Sequence, residues 1–231
     1  MTSPAVQNYL KAIYTLQENQ ASVTTSALAA SLGVSAASAT NMMKKLARAK
    51  LARRAPYRGV QLTPRGEKMA LEVIRHHRLV ELFLTRALGI PWESVHAEAE
   101  KIEHVISEDL EDRIAAFLGN PTRDPHGDPI PTQDGRVERL ALVSLLELAP
   151  GQTATVQRVS DHNPAHLRLL TRLGLTLDAR VTVIKREPAN GPLRVRVAAN
   201  TERALDEKLA REIWVAPTPP RPTRRANKNK V

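Results

Sequence analysis

The chain has 231 residues, 42% of them hydrophobic, which is enough to bury the core of one or two domains with room for a small third. It has no cysteine, which excludes disulfides and thiolate ligands, so any bound metal must be held by nitrogen and oxygen atoms. The lack of a run of about 18 apolar residues excludes a conventional membrane-spanning helix. Because the first residues do not resemble a secretory signal, we expect a cytoplasmic protein with no membrane partner.

Charge is separated along the chain. The formal net charge of +10 favours an anionic partner such as nucleic acid, because basic side chains that neutralise phosphates release counterions. Residues 44–58 contain seven basic residues and no acid, whereas residues 93–112 contain eight acids and one lysine. The sequence therefore predicts one region that binds anions and another that binds cations.

The N-terminal region has the pattern of a helix-turn-helix. The apolar spacing over residues 8–16 predicts a first amphipathic helix. A threonine N-cap precedes a second helix over residues 26–32, Gly33 supplies a turn, and Ser35 caps a third helix that runs through residue 46.

The third helix has a polar outer face. Hydroxyl and amide groups there can hydrogen-bond to base edges, and lysines can bind phosphates. The outward side chains that we predict to bind DNA are Ser35, Ala37, Ser38, Thr40, Asn41, Lys44 and Lys45. On this stretch alone, a polar helix of an unrelated bundle is the alternative interpretation. Residues 51–54 and 59–63 then predict a two-stranded β-wing, and Arg54 and Arg58 join the predicted DNA-binding residues, so a winged helix on duplex DNA is favoured.

Two long helices are predicted next, over about residues 65–88 and 92–118, with Gly-Ile-Pro between them. Histidines and glutamates three or four residues apart share a helix face and could hold a divalent metal between the two helices. These residues are His77 and Glu81 on the first helix and His96, Glu100, Glu103 and His104 on the second. A solvated acidic helix is the alternative. Apolar residues of the second helix would also form a homodimer interface, because DNA-binding proteins with a helix-turn-helix usually bind two half-sites about 34 Å apart.

After residue 118 the sequence pattern changes from long helices to a proline-rich loop and short strands. Residues 119–135 contain four prolines and three glycines and predict a rigid loop, in which His126 is interpreted as a loop residue rather than a ligand. Short alternating runs beyond it predict a small β-barrel. The fold class is thus mainly α with small β parts: a winged helix-turn-helix (1–64), a helical metal-binding and dimerisation domain (65–140), a small SH3-like β-barrel (141–216) and a basic, disordered tail (217–231).

This order of parts resembles the diphtheria toxin repressor family of metal-dependent transcriptional regulators, over residues 1 to about 216. The most specific strings are His76-His-Arg-Leu, Val95-His-Ala-Glu-Ala-Glu-Lys-Ile-Glu-His104 and Pro-His-Gly-Asp-Pro-Ile-Pro. The C-terminal part, with Arg172-Leu-Gly-Leu-Thr-Leu-Asp178, is similar to the small ferrous iron transport A (FeoA) domain often appended in this family.

The resemblance implies two metal sites in this chain. The primary site would use Asn8, Glu100, Glu103 and His104, and the ancillary site would use His77, Glu81 and His96. In some members the barrel completes the ancillary site, for which Asp161 or His162 is the candidate here. Without metal, Glu100 and Glu103 are expected to repel each other, and a bound cation would tie the DNA-binding head to the dimer core.

Two positions depart from the family pattern and bear on the metal. Relatives often have Met or Asp where this chain has Asn8, and the manganese-specific short members have Glu where it has Lys11. An ammonium group cannot ligate, so Lys11 argues against the closely paired two-metal cluster of those members. With Glu100 where iron-responsive members have a sulfur ligand, the site favours Mn²⁺, with Fe²⁺ as the second candidate, and Zn²⁺ or Co²⁺ is expected to substitute in vitro.

Two other functions are weighed against this one. A metalloenzyme would need His-Glu-x-x-His or a pair of Glu-x-x-His strings, and neither occurs, so we predict that the chain is not an enzyme. A winged-helix regulator that responds to a non-metal ligand is the remaining alternative. The preferred function is a metal-dependent transcriptional regulator of metal homeostasis genes that binds a double-stranded DNA operator.

Overall fold

The computed structural model describes residues 3–18, 20–55, 59–188, 191–198 and 201–218. The chain divides into two compact units, residues 1–139 and 140–231. The first is helical with a small two-stranded sheet and the second is built on a larger sheet, which confirms the predicted fold class. No helix within the described ranges is both long enough and apolar enough to span a membrane.

Most helices of the first unit begin at side-chain caps. Its elements are α1 (Pro4–Gln17), α2 (Thr25–Leu32), α3 (Ala36–Arg48), β1 (Ala52–Ala55), β2 (Gly59–Leu62), α4 (Pro64–Leu88), α5 (Trp92–Ile102) and α6 (Glu108–Phe117). Thr24, Ser35 and Thr63 each accept a hydrogen bond from a backbone N–H in the first turn of α2, α3 and α4. Each cap satisfies a donor that the helix leaves without a partner, and the predicted starts of these helices are confirmed to within a residue.

The winged helix-turn-helix is formed as predicted. Strands β1 and β2 pair antiparallel, and Val60 of β2 also bridges to Val23, which ties the wing to the segment before α2. Gly59 has a φ of 93°, and a Cβ there would lie 2.0 Å from the carbonyl oxygen of Val23, so only glycine fits. Fully buried side chains of α1, α2, α3 and β2 form a common core: Leu10, Ile13, Leu28, Leu46 and Val60.

Helix α4 is pressed against the start of the wing. A Cβ on Gly66, in its first turn, would lie 1.9 Å from the carbonyl oxygen of Leu51. That oxygen also accepts a hydrogen bond of 3.0 Å from the N–H of Thr63, the N-cap residue. The long helix and the wing therefore meet backbone against backbone at this point.

The predicted single helix over residues 92–118 is wrong. Helix α5 ends at Ile102, residues 103–107 connect it to the next helix with a turn at 103–105, and α6 begins at Glu108. The Ser107 hydroxyl accepts a hydrogen bond from the N–H of Leu110, because a serine before an acidic first turn favours a new N-cap over a continued helix. Glu103 and His104 consequently lie at and beyond the end of α5, not on one stripe with His96.

The proline-rich loop after α6 is fixed to α4. Asp124 Oδ1 accepts hydrogen bonds from the backbone N–H groups of His126 and Asp128, which closes the loop on itself. Arg75 and Arg78 of α4 donate to the carbonyl oxygens of Pro131 and Pro129. These contacts hold the loop against α4.

The second unit contains a six-stranded antiparallel sheet among its described residues. Its elements are β3 (Val143–Ser144), β4 (Thr153–Val159), α7 (Pro164–Leu173), β5 (Arg180–Arg186), β6 (Leu193–Val197), β7 (Thr201–Leu205), α8 (Glu207–Arg211) and β8 (Ile213–Pro217). The strand order is β3-β8-β4-β5-β6-β7. Within the described residues no pairing joins β3 to β7, so the sheet is open rather than the closed barrel that was predicted. Among the residues that the structure describes, the two-residue β3 pairs with β8 alone and β7 with β6 alone.

The predicted tail begins inside this sheet, because Pro217 is the last residue of β8. Residues 219–231 lie outside the described residues. The predicted domain boundaries stay a prediction.

Candidate metal centre and nucleic-acid interface

The three predicted ancillary ligands meet between α4 and α5. His77 and Glu81 lie four residues apart on α4, and His96 lies on α5. Glu81 Oε1 is 3.0 Å from His77 Nε2 and 3.1 Å from His96 Nδ1, and these two imidazole nitrogens are 3.1 Å apart. The three ligand atoms are close enough for one divalent cation to contact all of them.

Hydrogen bonds overcome the cost of burying these groups. Burial alone would raise the pKa of Glu81, but the neighbouring imidazoles of His126, His77 and His96 hold it well below its ordinary value. Burial would lower the pKa of His77, whereas hydrogen bonds with Glu103 and Glu81 raise it to about 8. His77 therefore carries a proton at neutral pH without metal, and it must release that proton in order to ligate a cation.

A third imidazole lies beside this cluster. His126 is completely buried; its Nε2 donates to the carbonyl oxygen of Trp92 at 2.8 Å, and its ring stacks on the Trp92 ring. Its Nδ1 is 3.7 Å from Glu81 Oε2, so the loop histidine lies beside the carboxylate oxygen that does not contact His77. Burial and the nearby carboxylates of Asp128 and Glu81 raise the pKa of Asp124, two residues before it, to about 8.

Lys11 lies at the centre of the predicted primary site. Its Nζ on α1 is 2.6 Å from Glu100 Oε1 and 2.7 and 2.9 Å from the two carboxylate oxygens of Glu103. The fully buried Glu103 side chain also accepts a hydrogen bond from His77 Nδ1. Burial would raise the pKa of Glu103, but His77 and Lys11 hold it below its ordinary value. The prediction that Glu100 and Glu103 repel each other without metal is wrong, because the Lys11 ammonium group lies between the two carboxylates and partly neutralises their charge.

The other two predicted primary ligands have unsatisfied ligand atoms. Asn8 is one turn before Lys11 on α1, and its Oδ1 is buried without a hydrogen-bond partner among the described residues. His104 lies in the turn after α5; its Nδ1 likewise has no partner there, and its Nε2 is 3.3 Å from Glu103 Oε1. Mainly through burial, the pKa of His104 is lowered, which keeps the ring neutral as ligation requires. Among the described residues, no hydrogen bond joins Asn8 to Glu100 or Glu103.

A second layer of polar groups supports the turn that carries Glu103. His76 Nδ1 is 3.1 Å from the backbone oxygen of Glu103, and His76 Nε2 is 2.7 Å from Glu111 Oε2 on α6. Arg75 donates to the other oxygen of Glu111. Burial would raise the pKa of Glu111, whereas His76 and Arg75 lower it, so the carboxylate stays charged. This layer was not predicted, because its members show no common spacing.

Asp161 and His162 lie in the second unit, between β4 and α7. His162 Nδ1 is 2.6 Å from Asp161 Oδ1, so the two residues form a local pair. Their assignment to the ancillary site stays a prediction.

The predicted DNA-binding residues form a polar surface on α3 and β1. Thr40 is half-buried, and the exposed members are the cap residue Ser35 together with Ala37, Ser38, Asn41, Lys44, Lys45 and Arg54. Lys44 and Lys45 near the end of α3 and Arg54 on the wing give this surface positive charge. Arg58 lies outside the described residues.

The donor set fits a divalent cation. Buried ligand atoms without a hydrogen-bond partner among the described residues include Glu81 Oε2, Asn8 Oδ1 and His104 Nδ1. All available ligands are imidazole nitrogens, carboxylates or an amide oxygen, which suit manganese and iron as well as zinc. A winged helix next to such a centre defines the class of metal-dependent, DNA-binding transcriptional regulators.

Comparison with known proteins supports this class. Profiles of three domain families match: the iron-dependent repressor N-terminal DNA-binding domain at residues 1–60, the iron-dependent repressor metal-binding and dimerisation domain at 63–132, and the FeoA domain at 143–217. The iron-dependent repressor IdeR of Mycobacterium leprae (strain TN) is 35% identical over 90% of this chain and 94% of its own length.

Solved structures give the same result. A manganese-dependent transcriptional repressor in complex with manganese is 42% identical, with a TM-score of 0.87 over 92% of this chain and 100% of that one. The repressor ScaR with bound Zn²⁺ is 30% identical, with a TM-score of 0.79 over 91% of this chain and 98% of that one. The chain belongs to the iron-dependent repressor family of metal-dependent transcriptional regulators. This membership confirms the prediction of metal-dependent regulation. Since members of that family are transcriptional repressors and not enzymes, it also confirms the prediction that the chain is not an enzyme.

Proposed function

We propose that the chain is a manganese-responsive regulator that binds operator DNA as a homodimer and controls metal homeostasis genes in the cytoplasm. Fe²⁺ is the second candidate metal, and Zn²⁺ or Co²⁺ would substitute in vitro. The observation that carries the proposal is the convergence of the ancillary ligands His77, Glu81 and His96, next to the carboxylates of Glu100 and Glu103.

The hardness of the ligands supports manganese. The primary donors are two carboxylates, an amide oxygen and one imidazole, and hard oxygen donors favour Mn²⁺ relative to softer ions. The manganese-bound repressor at 42% identity is consistent with this choice. Affinity in a test tube follows the Irving–Williams order, so Zn²⁺ would bind there without being the cellular signal.

Coupling between metal and DNA follows from where the ligands lie. Asn8 belongs to α1 of the winged-helix head, whereas Glu100 and Glu103 belong to the end of α5. When bound, a divalent cation supplies positive charge that both segments can share. Asn8, Glu100, Glu103 and His104 would hold it, and the head would thereby take a fixed orientation relative to the dimer core.

An apolar face of α6 supports the dimer. Leu110 and Phe117 are seven residues apart, which places them on one face, and they are 45% and 67% exposed. Val105 in the preceding turn is 77% exposed. Exposed large apolar side chains grouped in this way favour an isologous interface between two copies, which would give two heads for two half-sites.

The experiment that tests the proposal measures DNA binding with and without metal. Fluorescence anisotropy would follow the protein on a duplex from its own upstream region and on a random duplex, in Mn²⁺ and in excess chelator. We expect specific affinity to rise by about 100-fold or more in Mn²⁺, within the usual gap between specific and nonspecific binding. Equal affinity in Mn²⁺ and chelator would refute the proposal.

The Arg54→Ala substitution tests the wing. Because Arg54 is exposed and assigned to phosphate, its removal should weaken specific and nonspecific binding together and lower the slope of log K against log salt by about 1. Asn41→Ala on α3 is the matched comparison, since it should reduce discrimination between operator and random duplex without changing the slope. A salt slope that is unchanged in Arg54→Ala would contradict the assignment.

The Glu100→Met substitution tests metal selectivity. A thioether in place of a hard carboxylate should reduce activation by Mn²⁺ and raise activation by Fe²⁺, Co²⁺ or Ni²⁺ relative to it, by about tenfold in midpoint concentration. The measurement is the metal concentration that gives half-maximal operator binding, determined metal by metal. The control is His96→Ala, which should weaken activation by every metal. If the rank order is the same in Glu100→Met as in the wild type, residue 100 does not set selectivity.

A further inference from the structure

The Lys11 ammonium group has the contacts of a bound cation. Its three N–H donors face three carboxylate oxygens, one from Glu100 and two from Glu103, at 2.6 to 2.9 Å. A lysine has three donors and no acceptor, so these contacts use all of its hydrogen-bonding capacity. The Lys11 side chain is only 18% exposed and that of Glu103 is fully buried, which sets this pair apart from a surface ion pair.

A divalent cation would need the same oxygen atoms. Carboxylate oxygens bind divalent ions at about 2.0–2.6 Å, so a cation held by Glu100 and Glu103 would occupy the position of Lys11 Nζ. Two cations cannot share that position. The lysine side chain is long and flexible, and it can leave by rotation about its own bonds while α1 stays in place.

Two neighbouring ligand atoms receive no hydrogen bond from Lys11. Asn8 Oδ1, one turn away on the same helix, and His104 Nδ1 are buried without a partner among the described residues. An ammonium group donates hydrogen bonds and could have satisfied either atom, yet its contacts go to the carboxylates alone. These two atoms are therefore available to a second cation that takes the place of the first.

We propose that Lys11 is an internal cation of the primary site, which holds Glu100 and Glu103 together without metal and must be displaced by the activating metal. This inference rests on the primary site of the proposed function. Lys11 thereby lowers the affinity of that site for metal and compensates the negative charges of Glu100 and Glu103 in the metal-free protein.

The test compares Lys11→Met with Lys101→Met. Both remove one positive charge, but Lys101 is 66% exposed and pairs with Glu98 on the surface of α5. Binding of Mn²⁺ to the purified full chain would be measured from the electron paramagnetic resonance signal of the free ion. We expect affinity at the primary site to rise about tenfold or more in Lys11→Met and to stay at the wild-type value in Lys101→Met.

Metal-free stability provides a readout that does not depend on metal affinity. In chelator, Lys11→Met should melt at a lower temperature than the wild type and Lys101→Met, because two carboxylates lose their counter-ion. Addition of Mn²⁺ should restore its melting temperature. Lys11→Arg, which keeps the charge, should melt near the wild type in chelator, and Lys11→Gln replaces the Met variant if the latter does not fold.

The outcomes separate this inference from the proposed function. Equal Mn²⁺ affinity in the wild type and Lys11→Met would overturn the role of Lys11 and leave metal-dependent regulation intact. A Lys11→Met melting temperature in chelator equal to that of Lys101→Met would overturn the internal cation. Absence of Mn²⁺ binding in every variant would overturn the metal site itself, and the inference with it.

Discussion

Replacing Glu103 by alanine is expected to abolish the response of DNA binding to metal. Its carboxylate contacts Lys11, His77 and His104, and its backbone oxygen contacts His76, so it joins the primary and ancillary clusters. Without it, the primary site loses a buried anionic ligand and His77 loses one of its two carboxylate partners. We expect the affinity for operator DNA in Mn²⁺ to fall about 100-fold or more, to its value in chelator.

Anisotropy titrations in Mn²⁺ and in chelator measure this effect, and circular dichroism checks that the variant is folded. Glu98→Ala is the control, because Glu98 lies on the same helix and pairs with the exposed Lys101. It should respond to Mn²⁺ as the wild type does. A folded Glu103→Ala protein that retains the full response would remove Glu103 from the site.

The double variant Leu110→Glu, Phe117→Glu is expected to separate the dimer. Two charges on one face of α6 would have to be buried against their copies in the partner, at a cost of several kcal/mol for each unpaired charge. The Phe117 ring also contacts Phe83 within the chain, so the unfolding temperature must be measured alongside. We expect a monomer at micromolar concentration and a loss of operator affinity of about 100-fold or more, because one head then binds one half-site.

Sedimentation velocity decides the oligomeric state. Ala204→Glu is the matched control, since it adds a glutamate at an exposed position of β7 in the second unit. That variant should remain dimeric and bind the operator normally. A double variant that sediments as a dimer would exclude this face of α6 from the interface.

Local patterns in the sequence were sufficient for most elements of the fold. Helix starts at Thr24, Ser35 and Thr63 follow from side-chain caps that act within three residues. The end of α5 is not evident from the sequence, because apolar residues continue at helical spacing past it and hide the N-cap that Ser107 provides for α6. The open edge between β3 and β7 depends on pairing between distant strands, which alternation within one strand does not specify.

The candidate site was predictable only in its ligand types. Helical spacing identified His77 and Glu81, and His96 and Glu100, because each pair repeats every four residues on one helix. The contact of Lys11 with Glu103 joins residues 92 positions apart, and no periodicity signals it. The position of His126 beside Glu81 is also tertiary, since it is set by a loop folded onto α4.

The close contact at Gly66 couples movements of α4 to the wing. Its wing end cannot yield, since even a methyl group would collide with the Leu51 carbonyl oxygen. Glu81 lies 15 residues further along α4, a distance of about 22 Å at 1.5 Å per residue. A tilt of about 5° at the ligand end would move the wing end by roughly 2 Å, a large displacement for side chains that must meet phosphates at hydrogen-bond distance. We therefore expect small adjustments at the ligands to cause larger displacements in the winged helix.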